Sequence, residues 1–395
     1  RFTTRCHTNI GLAETLRPCM IPFFNLKLQY KQIQKEYLEH ADQILQSGKL
    51  MDGPMRLQLE TALEKRIGRH NVLLCHSGTQ ALGMIALFQY RYNMYSLLRT
   101  QNNARPKVIV PALTSPATIN AFLNANWEVI IADVDSTGVL DFGRIDPQSC
   151  DGVCAVGLFG KPVKWTESWL ERKALIEDGA QHWQSGTSGK VLAPMAISFD
   201  PTKNLGAHGN GGAIVCDDKV TANWIQRFQN NGKPKFDSGG TNSRMSELDC
   251  LSVILKLRYL DEWQDRRKDI AGYWIDQFAQ CENIRCLIDR DELDTHGLQK
   301  FVIDIPKRDM IKHSLLEAGV ECKIHYEKPL HEYDFYSDCK NPGHVSTASM
   351  LSRRLLTLPF YPELTDAEVE TIATQVLDHV NFHNETSATS SRNSI

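Results

Sequence analysis

The chain has 395 residues, with 44 Lys plus Arg against 47 Asp plus Glu and a formal charge of −3. That length favours two domains over one, and the interspersed charge excludes a general field for nucleic acid or anionic membrane, so any phosphate must be recognised locally. No apolar run reaches the roughly 20 residues that span a bilayer, and the eleven cysteines lack paired spacing, which fits reduced thiols in a soluble cytoplasmic protein without a metal site.

Residues 1–20 have no strong periodicity and read as an N-terminal extension. The first chemical signal is SGTQAL, residues 77–82, a small-residue turn entering a helix expected from Thr79 to Tyr92. Free N–H groups and the positive end of a helix dipole make an anion site there, to which Ser77 and Thr79 add hydroxyls. The same residues also serve as ordinary helix caps.

From Lys107 to Asp218 the sequence runs through VIVPA, EVIIADVD, GVCAVGLFG, ALIEDG, AISFD and GAIVCDD, with a helical pattern at Ala117 to Asn126. Short apolar runs alternating with helices predict an α/β fold with a mainly parallel sheet covered on both faces. Ligands of such sheets bind beyond the carboxyl ends of the strands. Asp178 closes ALIEDG, and Lys203 lies in SFDPTKNLGAHGNGG, residues 198–212, just after AISFD.

A lysine amine forms a Schiff base with an aldehyde cofactor, glycines let the backbone come close, and Ser198 and Thr202 offer hydroxyls to a phosphate. A carboxylate such as Asp178, held beside a pyridine nitrogen, keeps that nitrogen protonated. Taken singly, each segment also has a bland role as an exposed loop lysine or a cap. Together they supply a Schiff-base lysine, a pyridinium partner and a phosphate cradle.

After Ser246 the pattern changes to one long helix from Glu247 through Trp274, strands KFVIDI and ECKIHY, and helices at Met310 to Ala318 and Asp366 to Val380. The expected division is an extension at 1–20, a large cofactor-binding domain at 21–255, a smaller C-terminal α+β domain at 256–383, and a disordered polar tail at 384–395.

With these motifs, and with SGKLMDGP (47–54), VPALTSPATINAF (110–122), VGLFGKP (156–162), GTNSRMSELD (240–249), HYEKPLH (325–331) and LPFYPELT (358–365), the chain resembles the DegT/DnrJ-type aminotransferases. These are nucleotide-sugar enzymes dependent on pyridoxal 5′-phosphate (PLP), with the fold-type I, aspartate-aminotransferase-like architecture. The resemblance implies transfer of an amino group from an amino acid, glutamate or glutamine, to a keto-sugar nucleotide, in amino-sugar and polysaccharide biosynthesis.

The resemblance further implies that Lys203 binds the cofactor aldehyde and shuttles the proton. Asp178 would pair with the pyridine nitrogen, Gln181 would bond the ring oxygen, and Ala180 would pack on a ring face. Gly78, Thr79 and Ser198, next to Ser77, would hold the phosphate. Asn242 would reach the cofactor of a second subunit, which makes a homodimer the minimal active unit. His325 and Tyr326 would approach the substrate, although a His-Tyr pair in a strand fits a structural role equally well.

The chain departs from the family pattern at several places. Ser115 and Pro116 stand where an aromatic residue usually stacks on the ring, Asn210 replaces an aspartate, Gly179 replaces an alanine, and residues 162–176 are short enough to trim a helix. His76 and His208 fit packed turns, and Trp165, Trp169 and Trp183 fit core or interface packing. The alternative reading is a catalytically inactive PLP-binding regulator or scaffold of the same fold. A sugar dehydratase of the family would carry histidine in place of Lys203, and a dehydrogenase would need a Gly-x-Gly-x-x-Gly turn that is missing.

Overall fold

The apolar runs become strands buried on both faces, as a covered parallel sheet requires. In the computed structural model, which describes residues 20–99, 105–170, 174–185, 193–236, 239–339 and 345–392, they form one seven-stranded sheet. The strands are β1 (Val72–Cys75), β2 (Lys107–Pro111), β3 (Glu128–Ala132), β4 (Gly152–Val156), β5 (Ala174–Asp178), β6 (Met195–Ser198) and β7 (Gly212–Val215), in the order β1-β7-β6-β5-β4-β2-β3. Strands β6, β5, β4, β2 and β3 run parallel, and β7 is antiparallel to both its neighbours. The register pairs Val156 with Asp178 and Asp178 with Ala196, so the carboxyl ends of β4, β5 and β6 share one edge.

The covering helices carry recognisable start and stop signals. Helices α1 (Leu26–Ser47) and α2 (Pro54–Ile67) end at Gly48 and Gly68 with φ of 67° and 69°, the left-handed conformation glycine adopts without strain. At its start, α2 has Pro54, and the buried Glu247 carboxylate accepts from the N–H groups of Gly53, Met55 and Arg56 at 3.0, 2.8 and 3.1 Å. Next come α3 (Gly78–Arg99), α4 (Pro116–Asn124), the four-residue α5 (Glu167–Leu170) and α6 (Lys219–Phe228). Ser115 caps α4 by accepting from Ala117 N–H, and Pro116 occupies its first turn. The departure that removes a stacking aromatic thus supplies a helix start.

The single helix expected from Glu247 to Trp274 is two, α7 (Glu247–Leu257) and α8 (Leu260–Phe278). Tyr259, at φ −98° and ψ −5°, stands between them, its N–H bonding the Lys256 carbonyl at 3.0 Å in a tighter, three-residue bend. The bend lets Leu255 pack against α1 while Leu260 packs against β1, β6 and β7, a demand that leaves no trace in the hydrophobic period.

A second sheet, order β10-β9-β8, contains β8 (Arg285–Cys286), β9 (Val302–Asp304) and β10 (Leu355–Thr357). It is covered by α9 (Arg308–Glu317), α10 (Ser346–Arg354) and α11 (Asp366–Arg392), and Trp274, Phe278, Phe301 and Phe360 fill its core. Helix α11 continues through residues 384–392, which were expected as a disordered tail; residues 1–19 of the expected extension lie outside the described residues. ECKIHY is not a strand. Only Lys323 pairs, with Thr357, because Ile21 bonds Gly319 and Glu321 on the other side and His325 and Tyr326 turn into a cavity. Among the described residues no helix is long and apolar enough to cross a membrane.

Candidate active site

The carboxyl edge of the large sheet opens into a cavity of about 260 Å³. Its sheet-side wall holds Gly78, Thr79, Asp178, Ala180, Gln181, Ser198 and Lys203, and its opposite wall holds Lys300, His325 and Tyr326. Two expected residues stand elsewhere. Ser77 does not line the cavity, and its hydroxyl accepts from Gln80 N–H at 3.2 Å. Asn242 is exposed, outside this cavity, with its side-chain oxygen 3.3 Å from Arg244.

One end of the cavity is a cradle. Strand β1 turns at Ser77 and Gly78 into the 22-residue α3, whose leading N–H groups, those of Gly78 and Thr79, have no acceptor among the described residues. The turn is pressed between two strands. A Cβ on Gly78 would stand 2.6 Å from Ser198 Cβ, and one on Gly212 would stand 2.4 Å from the Ser77 carbonyl carbon. Ser198 is buried and its hydroxyl accepts from Asp200 N–H at 3.2 Å; Asp200 in turn fixes Thr202 through the latter's N–H and hydroxyl at 2.9 and 2.6 Å. Free helix donors, hydroxyls and absent Cβ atoms suit a phosphate.

Asp178 closes β5 and is 8 % exposed. One carboxylate oxygen accepts from Thr118 Oγ1 at 2.8 Å, which itself lies 3.1 Å from Thr114 Oγ1, and the other accepts from Ala180 N–H at 3.2 Å. These donors fix the orientation of the carboxylate. Gly179 follows it where the family pattern has alanine, because a Cβ there would stand 2.7 Å from Met195 Cγ.

Lys203 reaches the cavity from the turn after β6. Burial holds its pKa below the ordinary lysine value, against the opposing pull of Asp178 and Asp200. This favours the neutral amine that condenses with an aldehyde. The next residue, Asn204, anchors the turn: its amide donates to Gln184 and Gln264 side chains at 2.9 and 3.0 Å and to the Gly297 and Leu298 carbonyls at 2.7 and 3.2 Å.

On the facing wall, burial and the charges of Lys300, Lys203 and Lys323 drive the His325 pKa down to about 2, so its ring is neutral at physiological pH; Nδ1 lies 2.9 Å from Thr357 Oγ1. Burial pushes the Tyr326 phenol up to about 12, so it keeps its proton. Gln181 lies between the walls, accepting from Phe159 N–H at 2.6 Å while its amide points to Tyr326 3.5 Å away. The rings of His325 and Tyr326 are the only aromatic groups among the described residues lining the cavity.

Thr118 and Lys300 were not anticipated. Thr118 was visible only as part of VPALTSPATINAF, and Lys300 only as the first letter of a strand. Trp169 and Trp165 pack on Phe142, Trp183 packs on Phe199, and the His208 ring meets Tyr30 and Tyr37, all away from the cavity lining.

The cavity fits PLP: an anion cradle at the α3 end, a carboxylate at the β5 end and an amine between them. The profile of the DegT/DnrJ/EryC1/StrS aminotransferase family matches residues 31–377. The chain is 29% identical over 375 residues to the erythromycin biosynthesis sensory transduction protein EryC1 of Saccharopolyspora erythraea, covering 90% of this chain and 98% of that one. It is 26% identical to the UDP-N-acetyl-3-dehydro-alpha-D-glucosamine 3-aminotransferase of Acidithiobacillus ferrooxidans, covering 90% and 97%. The crystal structure of NtdA from Bacillus subtilis with bound cofactor PMP superposes with a TM-score of 0.80 at 23% identity, over 93% of this chain and 87% of that one. Cavity, sheet order and sequence agree, and the chain belongs to the DegT/DnrJ/EryC1/StrS aminotransferase family.

Proposed function

We propose that this chain is a PLP-dependent aminotransferase that moves an amino group from an amino acid, glutamate or glutamine, to a keto group of a nucleotide sugar. The observation that carries the reading is that the Lys203 amine and the Asp178 carboxylate share one cavity with the open N-terminus of α3. The acceptor class is supported by relatives named as aminotransferases of UDP-linked and dTDP-linked sugars.

When bound, PLP supplies an aldehyde that takes up amines and an electron-withdrawing ring that drains charge from the substrate carbon. The chain does the rest. Gly78 and Thr79 N–H groups, with Ser198, would hold the phosphate. Asp178, oriented by Thr118 and Ala180, would keep a proton on the pyridine nitrogen. Lys203 Nζ would bind the aldehyde and, when an amine substrate takes its place, would accept the proton of the donor carbon and supply one to the carbon of the keto sugar. Gln181 would bond the ring oxygen and Ala180 would pack on a ring face. His325 and Tyr326 present a neutral imidazole and a protonated phenol to the substrate.

A homodimer completes this reading. Asn242 is exposed outside its own cavity, where a second copy can use it, and Leu38 and Leu45 of α1 with Leu50, Met51 and Leu57 present exposed apolar side chains near the start of the chain. Nine described cysteines are free thiols, which supports a reducing compartment such as the cytoplasm.

The test is to load the protein with PLP, add glutamate and follow the visible cofactor band, then add a UDP- or dTDP-linked 3-keto sugar and look for its amine by mass spectrometry. Loss of the band followed by amino-sugar formation is expected. A catalytically inactive regulator would leave the band unchanged, and that result would end the transaminase reading.

A further inference from the structure

Lys300 is a buried lysine on the substrate wall that the chemistry above does not use. It is 8 % exposed and lines the cavity with Lys203, His325 and Tyr326. Its Nζ lies 5.8 and 5.7 Å from the ring centroids of Phe23 and Phe24, and it forms no hydrogen bond or ion pair with any described side chain. Phe23 is locked in place, its N–H donating to Glu321 at 3.0 Å. Asp200, the acid that acts on Lys300, has a carboxylate oxygen committed to Thr202. The other charges facing Lys300 are Lys203 and Lys323, both of its own sign. With aromatic faces behind this buried amine and Asp200 already engaged by Thr202, it lacks the direct ion-pair partner that a buried charge requires.

We propose that Lys300 seats a carboxylate of the amino donor on the substrate side of the cavity, opposite the phosphate cradle. The proposal deepens the transaminase reading and rests on it. Geometry favours the donor over the nucleotide sugar. Lys300 shares the interior with Lys203, so its ligand must lie next to the reacting carbon, and an α-carboxylate is one bond from that carbon. The pyrophosphate of a nucleotide sugar is held away from the keto carbon by the sugar ring, and the exposed Lys323, its Nζ 5.1 Å from the Phe23 centroid, does not line the cavity, whereas Lys300 does. Burial and the neighbouring lysines hold the Lys300 pKa down to about 7, so an arriving carboxylate also restores its proton.

The test compares PLP-loaded wild type with Lys300→Met, which keeps the stem and removes the charge, and Lys300→Arg, which keeps the charge. In Lys300→Met the glutamate concentration for half-maximal reaction should rise roughly tenfold to hundredfold. Glutarate, a dicarboxylate with no amine, should lose affinity by the same factor when titrated against the cofactor band. The maximal rate and the half-saturating keto-sugar concentration should stay within roughly twofold, and Lys300→Arg should recover most of the loss. L-Norvaline identifies the carboxylate: a penalty shared with glutamate marks the α-carboxylate, and a penalty for glutamate alone marks the side-chain acid, either supporting the proposal.

Unchanged glutamate and glutarate binding in Lys300→Met would overturn the proposal, as would a loss confined to the keto sugar. If Lys300→Met fails to fold, by circular dichroism, Lys300→Gln replaces it under the same criteria. If wild type itself left its band unchanged with glutamate, the transaminase reading would fall, while the glutarate titration would still decide the role of Lys300.

Discussion

The two walls of the cavity are built in opposite ways. The sheet-side wall uses residues within a turn of one another, at 78–79, 178–181 and 198–203, each at or just after a strand end, and a Cβ on Gly78 or Gly179 would meet Ser198 or Met195 at under 3.0 Å. The substrate wall draws Lys300 from just before β9 and His325 and Tyr326 from a loop, with Phe23 and Phe24 of the N-terminal segment behind Lys300, and relies on side-chain charge and rings. On the proposed roles, cofactor binding rests on the sheet-side wall and donor selection on a few replaceable side chains of the facing wall. Substitutions in the first wall should abolish chemistry or cofactor affinity, and those in the second should shift selectivity.

The largest effect expected is from Lys203→Ala, which removes the amine that shuttles the proton. Turnover should fall by roughly a thousandfold or more, with the visible band of the bound cofactor altered. Wild-type production of amino sugar by this variant would break the comparison at its centre.

Gly212→Val should come next. Its Cβ would meet the Ser77 carbonyl carbon at 2.4 Å, forcing the cradle open. PLP affinity, measured by titrating the apoprotein, should weaken by roughly tenfold or more, while glutarate affinity of the fully loaded variant should change far less. Equal losses in both would show that the walls are not separable.

The smallest effect concerns His296, which opens the segment leading to Lys300. It is buried, its Nδ1 accepts from Leu298 N–H at 3.0 Å, and burial with the charges of Lys161 and His182 lowers its pKa to about 3. The unfolded chain takes up this proton near pH 6.5 and the folded chain only near 3, so stability falls as pH drops through that window, by at most about 1.4 kcal/mol per pH unit. His296→Gln should flatten this slope, read as urea midpoints at pH 7 and pH 4.5. An unchanged slope would show that His296 is not the group responsible.

The contrast also explains what could be read from the residues alone. Six of the seven strands, the lysine turn, Asp178 and the α3 entrance were legible because each couples a buried apolar run to a turn within a few residues; β1 was not among the runs read as strands. Lys300 was not, because its meaning depends on Phe23 and Phe24, nearly three hundred positions away, and on Lys203 across the cavity. The break at Tyr259 and the loss of a strand at ECKIHY share that cause. Each is set by what packs against the segment, and local pattern does not encode it. Gly179, an unexplained departure in the sequence, became intelligible only once Met195 was seen beside it.

Asn204 binds the consequences of the two walls together. It follows the lysine directly, and its amide grips the carbonyls of Gly297 and Leu298 a few positions ahead of Lys300. Any hinge movement that carried the second sheet away from the first would have to tear that grip or drag the lysine turn with it. With that grip intact, such a movement would therefore displace the Lys203 turn whenever it opened the cavity.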